Sequence, residues 1–445
     1  MTTRPADAPV VCAARRRLPL LGHTLWLALR RVDYLQALRA CGDAVLIHLG
    51  PLPVYVLNSP ELIHRMLVEH AGKFSKGLLF DRARPYFGDG LLTSSGSFHM
   101  RQRRLVQPAF HRDAVYGHTA AMANAVNRHI DQWRDGQVIA VERETRALAT
   151  SIIVETLFDT DDSMQLAELV ERSLPEFIAG VGRRTLLPSA LTRLPIPGTR
   201  RFDAAGADLR RTTLRFVAQH RRDGGNLVSR LLAARDHTGR GMTDDEAVDE
   251  VITLLIAGIE TSATTLAWAY HELGHHPQLR DRLHHEVDTV LAGRRVTAAD
   301  LPRLRFNRAL LYEILRLHHP TWLLMRRAQE DADLGGVLIP AGAEALYSPT
   351  TLHRDPNLYA DPLRLDPDRW LPDPPPLPRC SFIPFGAGNR KCVGETFAWS
   401  EMSLILATVA ARWQLDPCSG TKVKTIVDGI VRPGHLPMTV RSRAR

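Results

Sequence analysis

A single cysteine in a loop rich in glycine and positive charge carries the strongest chemical signal in this sequence. In the stretch FGAGNRKCVG, Arg390 and Lys391 directly precede Cys392. Cations near a thiol favour the thiolate, which is a nucleophile or a metal ligand. The loop contains no histidine that could serve as its base, and no CxxC spacing that would suit zinc. A lone thiolate suits haem iron, because the porphyrin supplies the four in-plane ligands.

Five other motifs accompany this loop, and each has an ordinary interpretation when taken singly. An ExxR pair on a helix is usually a salt bridge, and a threonine within a helix usually bonds back to the chain. The motifs are SFHMRQRR with His99 and Arg103, AGIETS with Gly258, Glu260 and Thr261, EILR with Glu313 and Arg316, LLMRRAQED with Arg326, and DPDRW with Arg369. As an ordered set, from about Pro19 to Pro437, they resemble the cytochrome P450 family.

The resemblance implies a haem b cofactor whose iron takes Cys392 as its axial ligand. Phe385 would shield the sulfur, and Gly388 and Gly394 would let the chain approach the porphyrin. The residues expected to bind the haem propionates are His99, Arg103, Arg326 and Arg390. The residues expected to support the thiolate loop from behind are Glu313, Arg316 and Arg369.

The AGIETS motif is expected to handle oxygen and protons on the opposite face of the haem. Gly258 would open its helix locally, and Thr261 would donate a hydrogen bond to bound oxygen. Glu260 would pass protons inward from solvent. The pair Glu260–Thr261 favours a monooxygenase that uses O2. The alternatives are a peroxide-driven haem-thiolate enzyme, a haem-based sensor and, more remotely, a zinc or DNA-binding protein.

Apolar segments at the positions where the family contacts its substrates predict a hydrophobic small molecule. The candidate pocket residues are Leu79, Phe80, Phe87, Leu91, Ile256, Ala257, Trp322, Leu323, Leu324, Ile430 and Val431. The stretches GPLPVYV, RLVQPAFHR and HHPTWLLMRR are similar to bacterial sesquiterpene oxygenases of this family. That similarity implies hydroxylation of a sesquiterpene methyl group and oxidation onward to an aldehyde. A steroid, a fatty acid or a polyketide is the alternative substrate.

The resemblance also implies electrons from NAD(P)H, delivered by a ferredoxin and its reductase, because no reductase is fused to the chain. Arg101, Arg104 and Lys391 are expected to receive an acidic ferredoxin on the thiolate side. The net charge of +9 is dispersed and comes with no nucleic-acid-binding motif. Five scattered cysteines, no membrane span and no signal peptide predict a cytoplasmic protein, and we expect a monomer.

The elements that must position these residues are mainly helical. Alternating β-branched residues around Gly50 predict a hairpin within Asp43–Asn58, and helical periodicity extends from about Pro60 to His319. The capping-box pair Thr243 and Glu246 predicts the start of a long central helix that ends near Leu273.

Short strands are expected near Gly336–Gly342, Val423–Val431 and Leu436–Val440, and a stiff extended segment at Pro372–Pro378. The predicted fold is therefore mainly α with a smaller β region, the cytochrome P450 fold. Its domains would be a flexible segment at 1–18 and a single domain at 19–445. That domain would combine a β-rich lobe at about 40–60, together with the C-terminal strands, and a helical body at about 60–412.

Overall fold

The computed structural model describes residues 11–158, 163–186, 198–220, 226–371 and 376–443. Within them the α-helices are α1 Thr24–Arg39, α2 Pro60–His64, α3 Leu78–Phe87, α4 Gly96–Val106, α5 Arg112–Gly117, α6 Thr119–Ile130, α7 Val141–Phe158, α8 Ser163–Leu186, α9 Thr199–His220, α10 Leu227–Ala233, α11 Asp244–His275, α12 Pro277–Leu291, α13 Arg305–Leu317, α14 Pro349–Leu352 and α15 Glu395–Ala410. The strands are β1 Val11–Ala13, β2 Ala44–Leu49, β3 Leu52–Leu57, β4 Phe74–Ser75, β5 Val138–Ala140, β6 Leu324–Ala328, β7 Ala332–Asp333, β8 Leu338–Ile339, β9 Glu344–Tyr347, β10 Trp413–Pro417, β11 Thr425–Val427, β12 Val431–Pro433 and β13 Pro437–Ser442. The predicted mainly α fold is confirmed.

The largest sheet has six strands in the order β1-β2-β3-β9-β6-β4. The predicted hairpin is present as β2 and β3, paired from Ala44 opposite Leu57 to Leu49 opposite Leu52. The predicted hairpin is extended by strands from much later in the chain, because β9 pairs in parallel with β3 and β6 pairs with β9. A strand inside a sheet has its backbone groups satisfied by neighbours on both edges. For β3, the second neighbour comes from far away in sequence.

The prediction that residues 1–18 form a flexible segment was wrong for the second half of that segment. Strand β1 pairs in parallel with β2, with Val11 opposite Ala44. Residues 1–10 lie outside the described part of the chain.

The central helix α11 begins at the predicted capping box. The Thr243 side chain accepts a hydrogen bond from the N–H of Glu246 at 3.2 Å, and the Glu246 carboxylate accepts one from the N–H of Thr243 at 3.1 Å. With 32 residues, α11 is roughly 48 Å long at 1.5 Å per residue. It is long and apolar enough to cross a membrane, but 83% of its apolar window is buried inside the protein, as expected of a core helix.

The C-terminal strands also find partners elsewhere in the chain. Strand β13 lies between β10 and β5. Strand β11 lies within the stretch Val423–Val431, where a short strand was expected, and it forms a separate hairpin with β12. Strand β8 lies within the predicted Gly336–Gly342 stretch and pairs with β7. Residues 376–378 of the proline-rich segment have no regular secondary structure, and 372–375 lie outside the described residues.

Candidate active site

The backbone of the loop around Cys392 is fixed by its own hydrogen bonds and glycines. The N–H of Cys392 donates to the carbonyl oxygen of Phe385 at 2.8 Å, across a 3-10 turn at Gly388–Arg390. Gly388 has a φ of 70°, which other residues rarely adopt. A Cβ at this position would also overlap the carbonyl oxygen of Leu67. Glycine is therefore required at 388 by the protein's own backbone, a reason that differs from the expected approach to the porphyrin.

Gly394 is under no comparable constraint from the described residues. A Cβ there would meet the Cys392 sulfur at 3.9 Å, an ordinary contact. Helix α15 begins at the next residue, so Cys392 stands just before a helix N-terminus.

The thiol of Cys392 lies deep in the protein, yet the residue has accessible surface. Cys392 therefore faces an internal space. Burial raises the pKa of this thiol, and the N–H of Gly394, Arg103 and Lys391 only partly offset the effect. The neighbouring cations do favour the thiolate, as expected, but burial outweighs them in the protein by itself. An iron ion would supply the missing stabilisation, because metal ligation deprotonates a thiol outright.

Three residues expose surface in the otherwise buried middle of α11. Between Glu250 and Tyr270, only Ala257, Gly258 and Thr261 are not buried. Their spacing of one, three and four residues places them on one face of the helix. Since the surrounding helix is core, this face opens onto an interior space.

The Thr261 hydroxyl donates a hydrogen bond to the carbonyl oxygen of Ala257 at 2.7 Å. Its proton is thus engaged, and its lone pairs remain free to accept from a group in the cavity. The predicted donation from Thr261 to bound oxygen would require this bond to break.

Gly258 does not open the helix, which continues without interruption from Asp244 to His275. An added Cβ at this position would lie 3.3 Å from Ile153 Cδ1. The predicted local opening was wrong, and the small residue instead permits the close packing of α7 on α11.

Glu260 is buried and forms an ion pair with Arg146, whose Nε lies 3.0 Å from Glu260 Oε1. Arg146 belongs to α7 and is itself largely covered. The carboxylate is thus held by a partner that the sequence motif did not indicate.

The four residues expected to bind propionates lie close enough to influence one another's pKa values. His99 is 2% exposed, and its Nε2 has no hydrogen-bond partner. Burial, followed by the charge of Arg390, lowers the pKa of His99 to about 3, so the imidazole is neutral. Burial also lowers the pKa of Arg390 to about 10.

The three arginines of this group donate hydrogen bonds only to backbone carbonyl oxygens. Arg390 donates to the oxygen of Ser94 at 3.0 Å, Arg326 to that of Met325 at 2.8 Å, and Arg103 to that of Lys391 at 2.6 Å. No carboxylate among the described residues forms an ion pair with any of them. Buried positive charge without a counter-ion is costly, so this cluster fits an anionic group such as the haem propionates.

Sequence reasoning missed Lys76, which belongs to the same cluster. Its side chain is buried, and burial, followed by the charges of Arg326 and Arg390, lowers its pKa well below the usual value. The ammonium lies 4.6 Å from the ring centroid of Phe80. Ser75 pairs with Arg327 in the sheet, and the next step of that register brings Lys76 to Arg326. The pairing of β4 with β6, which no local motif reveals, is therefore what recruits it.

Behind the loop, Glu313 and Arg316 are fully buried and form an ion pair of 2.7 Å on α13. Arg369 Nε lies 3.4 Å from Glu313 Oε1, so all three expected residues meet. Arg316 also donates to the carbonyl oxygens of His353 and Pro362. The Trp370 indole, which the sequence did not indicate, donates to Glu313 at 2.9 Å.

The candidate pocket residues divide between buried and partly accessible positions. Those with less than a tenth of their surface exposed are Phe87, Leu91, Ile256, Trp322, Leu323 and Val431. Those that retain accessible surface are Leu79, Phe80, Ala257, Leu324 and Ile430. Leu79, Trp322, Leu323 and Val431 pack in one apolar cluster with α1 and the large sheet.

Aromatic rings join α3 to helices α8 and α9. Phe87 lies 5.7 Å from Phe177, which stacks on Phe202 at 5.5 Å, and Tyr86 meets Phe202 edge-on at 5.1 Å. The Arg184 guanidinium lies 3.9 Å from the Phe202 centroid. Such pairs add to the stability gained from burial.

Two carboxylates of α11 tie the segment after α3 to the central helix. Asp249 accepts from the N–H of Asp89 at 2.8 Å and pairs with Arg210 of α9 at 2.6 Å. Glu250 accepts from the N–H of Leu91 at 3.0 Å, and burial raises its pKa to about 8.

The expected docking trio does not form one free basic surface. Arg101 pairs with Asp236 at 2.6 Å and with Glu246 at 3.1 Å, so it closes the turn before α11. Its charge is balanced within the protein, and this arrangement gives its predicted docking role no support. Arg104 is exposed, and Lys391 is about half exposed and forms an ion pair of 2.5 Å with Glu395.

A family model described as cytochrome P450 matches residues 13–438. The chain belongs to the cytochrome P450 family. It is 40% identical to a cyclooctat-9-en-7-ol 5-monooxygenase of Streptomyces melanosporofaciens, with 96% of this chain and 94% of the relative covered. It is also 40% identical to a cyclooctatin synthase of the same organism, over 96% and 94% of the two chains. A pentalenene oxygenase of Streptomyces avermitilis is 37% identical over 96% of each chain.

As a cytochrome P450, the protein is a monooxygenase that uses haem, O2 and electrons from redox partners. The described residues fit this cofactor: an interior-facing cysteine, an unpartnered imidazole nitrogen, and buried or partly buried cations that form no ion pair with a carboxylate. When bound, the haem supplies the iron at which dioxygen is activated.

Proposed function

We propose that this cytochrome P450 oxidises a cyclic terpene. The observation that carries the proposal is the interior-facing surface of α11 at Ala257 and Thr261, together with the half-buried apolar side chains of Leu79 and Phe80 on α3. A cavity with apolar walls and few polar groups favours a hydrocarbon. Three relatives with 37–40% identity have names that refer to cyclooctatin, cyclooctat-9-en-7-ol and pentalenene.

The finer proposal is that a sesquiterpene methyl group is hydroxylated and then oxidised to an aldehyde. Titration of the ferric protein with a panel of cyclic terpenes, followed by product analysis under ¹⁸O2, tests it. We expect a spectral shift with sesquiterpenes and a labelled alcohol and aldehyde. A shift only with steroids or fatty acids would contradict the terpene proposal.

Thr261 and Glu260 would control protons in this reaction. The Thr261 lone pairs can hold a cavity water in place, because its own proton goes to Ala257. Glu260 can exchange a proton with solvent only after it separates from Arg146. We therefore infer that proton delivery includes the opening of this ion pair.

We also propose that the electrons come from a ferredoxin that docks near Arg104 and Lys391. Both are exposed close to the Cys392 loop, and a positive surface accelerates the association of an acidic partner. Charge reversal at Arg104 is expected to slow reduction by ferredoxin at low salt. Arg230, a basic residue of α10, provides the matched control. Equal reduction rates in both variants would contradict the docking site.

A further inference from the structure

A row of aromatic rings joins the Cys392 loop to the surface of the protein. The Phe385 ring meets the Trp399 ring edge-on, with centroids 5.4 Å apart. Trp399 lies 4.4 Å from Tyr312, and Tyr312 stacks on Trp370 at 5.3 Å. These distances are those of directly contacting aromatic pairs. The row therefore crosses from the loop to α15, then to α13 and to the turn at Pro367–Trp370 without a gap.

The inner end of the row adjoins the cysteine. Phe385 accepts the hydrogen bond from the N–H of Cys392 at 2.8 Å. Phenylalanine is difficult to oxidise, whereas indole and phenol rings give up an electron far more readily. Trp399 is thus the first member of the row that can be oxidised.

The outer end opens into a groove of about 1170 Å³ that is lined by Tyr312, Trp370 and Leu371. Arg305 and Arg308 are exposed residues of the same groove. Of the two carboxylates in its lining, Glu286 accepts from the N–H groups of Phe306 and Asn307, and Asp281 pairs with Arg280. Arg308 donates to the Tyr312 hydroxyl at 2.8 Å. Exposed cations beside accessible rings favour the approach of a small anion.

The Trp370 indole has a base in place. Its Nε1–H donates to the Glu313 carboxylate at 2.9 Å. Loss of an electron makes an indole N–H strongly acidic, so its proton can move along this hydrogen bond and return later.

We propose that this row carries electrons from the groove towards the haem. It would do so when an oxidising equivalent has formed at the haem and no substrate is present to consume it. One electron leaves Trp370 and passes through Tyr312 and Trp399, while the Nε1 proton of Trp370 moves to Glu313. A small anionic reductant of the enediolate class then gives one electron to Trp370 in the groove, and Glu313 returns the proton. The reductant loses one electron in each pass, and the protein is restored. The route protects Cys392 and the haem from oxidation, and it does not depend on which substrate the enzyme uses.

Freeze-quench electron paramagnetic resonance tests the proposal. The ferric holoenzyme is mixed with hydrogen peroxide in the absence of substrate, with and without ascorbate. In the wild type we expect an organic radical signal whose lifetime ascorbate shortens. In Trp399→Phe we expect loss of the signal and faster bleaching of the haem. Trp413→Phe is the matched control, because this tryptophan packs on Trp133 outside the row.

An unchanged signal and unchanged bleaching in Trp399→Phe would overturn the proposal. The carbon monoxide spectrum of each variant verifies that haem and thiolate are retained. If Trp399→Phe fails to take up haem, Trp370→Phe tests the outer end instead. There the radical should still form on the inner rings, but ascorbate should shorten its lifetime less than in the wild type, because only Tyr312 then remains in the groove to accept its electron. An ascorbate effect equal to that of the wild type would overturn the proposal equally.

Discussion

Arg146 holds Glu260 in an ion pair of 3.0 Å between α7 and α11. The acid of the AGIETS motif is therefore restrained rather than free in a water channel. In the proposed mechanism, this restraint couples proton delivery to a movement of one side chain.

Replacement of Glu260 by glutamine should lower kcat by roughly a hundredfold, a typical contribution of acid–base catalysis. The amide cannot exchange a proton, although it can still bond to Arg146. The solvent isotope effect on product formation should rise in parallel. Glu155→Gln is the control. Glu155 also belongs to α7, but it forms its ion pair with Arg128 of α6. Unchanged turnover in Glu260→Gln would remove this residue from the mechanism.

Thr261→Ala should divert electrons into hydrogen peroxide while haem and substrate still bind. The substitution removes the lone pairs that hold a cavity water, but it leaves the helix intact. The ratio of product to consumed NAD(P)H measures the effect. Thr265→Ala is a close control, because Thr265 makes the same type of bond, to the carbonyl oxygen of Thr261 at 2.8 Å, and is buried. Equal coupling in the two variants would contradict the proposed role.

Lys76→Met should weaken haem retention by about 10- to 100-fold, the range expected when a charged hydrogen bond is lost. The methionine keeps the volume of the buried side chain and removes the charge. Transfer of haem to an excess of apomyoglobin measures the rate of loss. Lys73→Met is the control, because Lys73 lies near the surface and pairs with Glu330. If both variants lose haem at the wild-type rate, Lys76 does not contact a propionate.

Thermal stability should fall as the pH rises between about 5 and 8. Burial raises the pKa of Glu250 to about 8, so its contribution is complete below its unfolded pKa and is lost as the pH rises through the folded value. Burial raises the pKa of Glu401 to about 8 as well, in the same direction. Glu250→Gln should therefore show a flatter dependence of Tm on pH than the wild type. Parallel profiles would contradict this account.

The candidate site residues could be recognised because their types and spacing lie within single short segments. Cys392, Thr261 and the Glu313–Arg316 pair needed no knowledge of the fold. The partners of these residues come from distant segments, as Arg146 does for Glu260, and no local pattern indicates them.

Long-range packing also explains the errors. Arg101 looked like a free surface cation, but Asp236, 135 residues later, neutralises it. Gly258 was expected to open the helix, but a small residue is needed there because Ile153 of α7 packs against this position. Lys76 was missed because only the sheet register brings it to Arg326.

The parallel pairing of β3 with β9 has a consequence for biosynthesis. Strand β3 is translated within the first 57 residues, but its second neighbour ends at Tyr347. On the ribosome, one edge of β3 therefore stays without its native partner until more than three quarters of the polypeptide has been made. Nascent chains of this length expose an open strand edge that invites aggregation. Since Cys392 follows later still, cofactor capture must be one of the last events of assembly, and haem shortage in the cell should appear as a loss of protein yield.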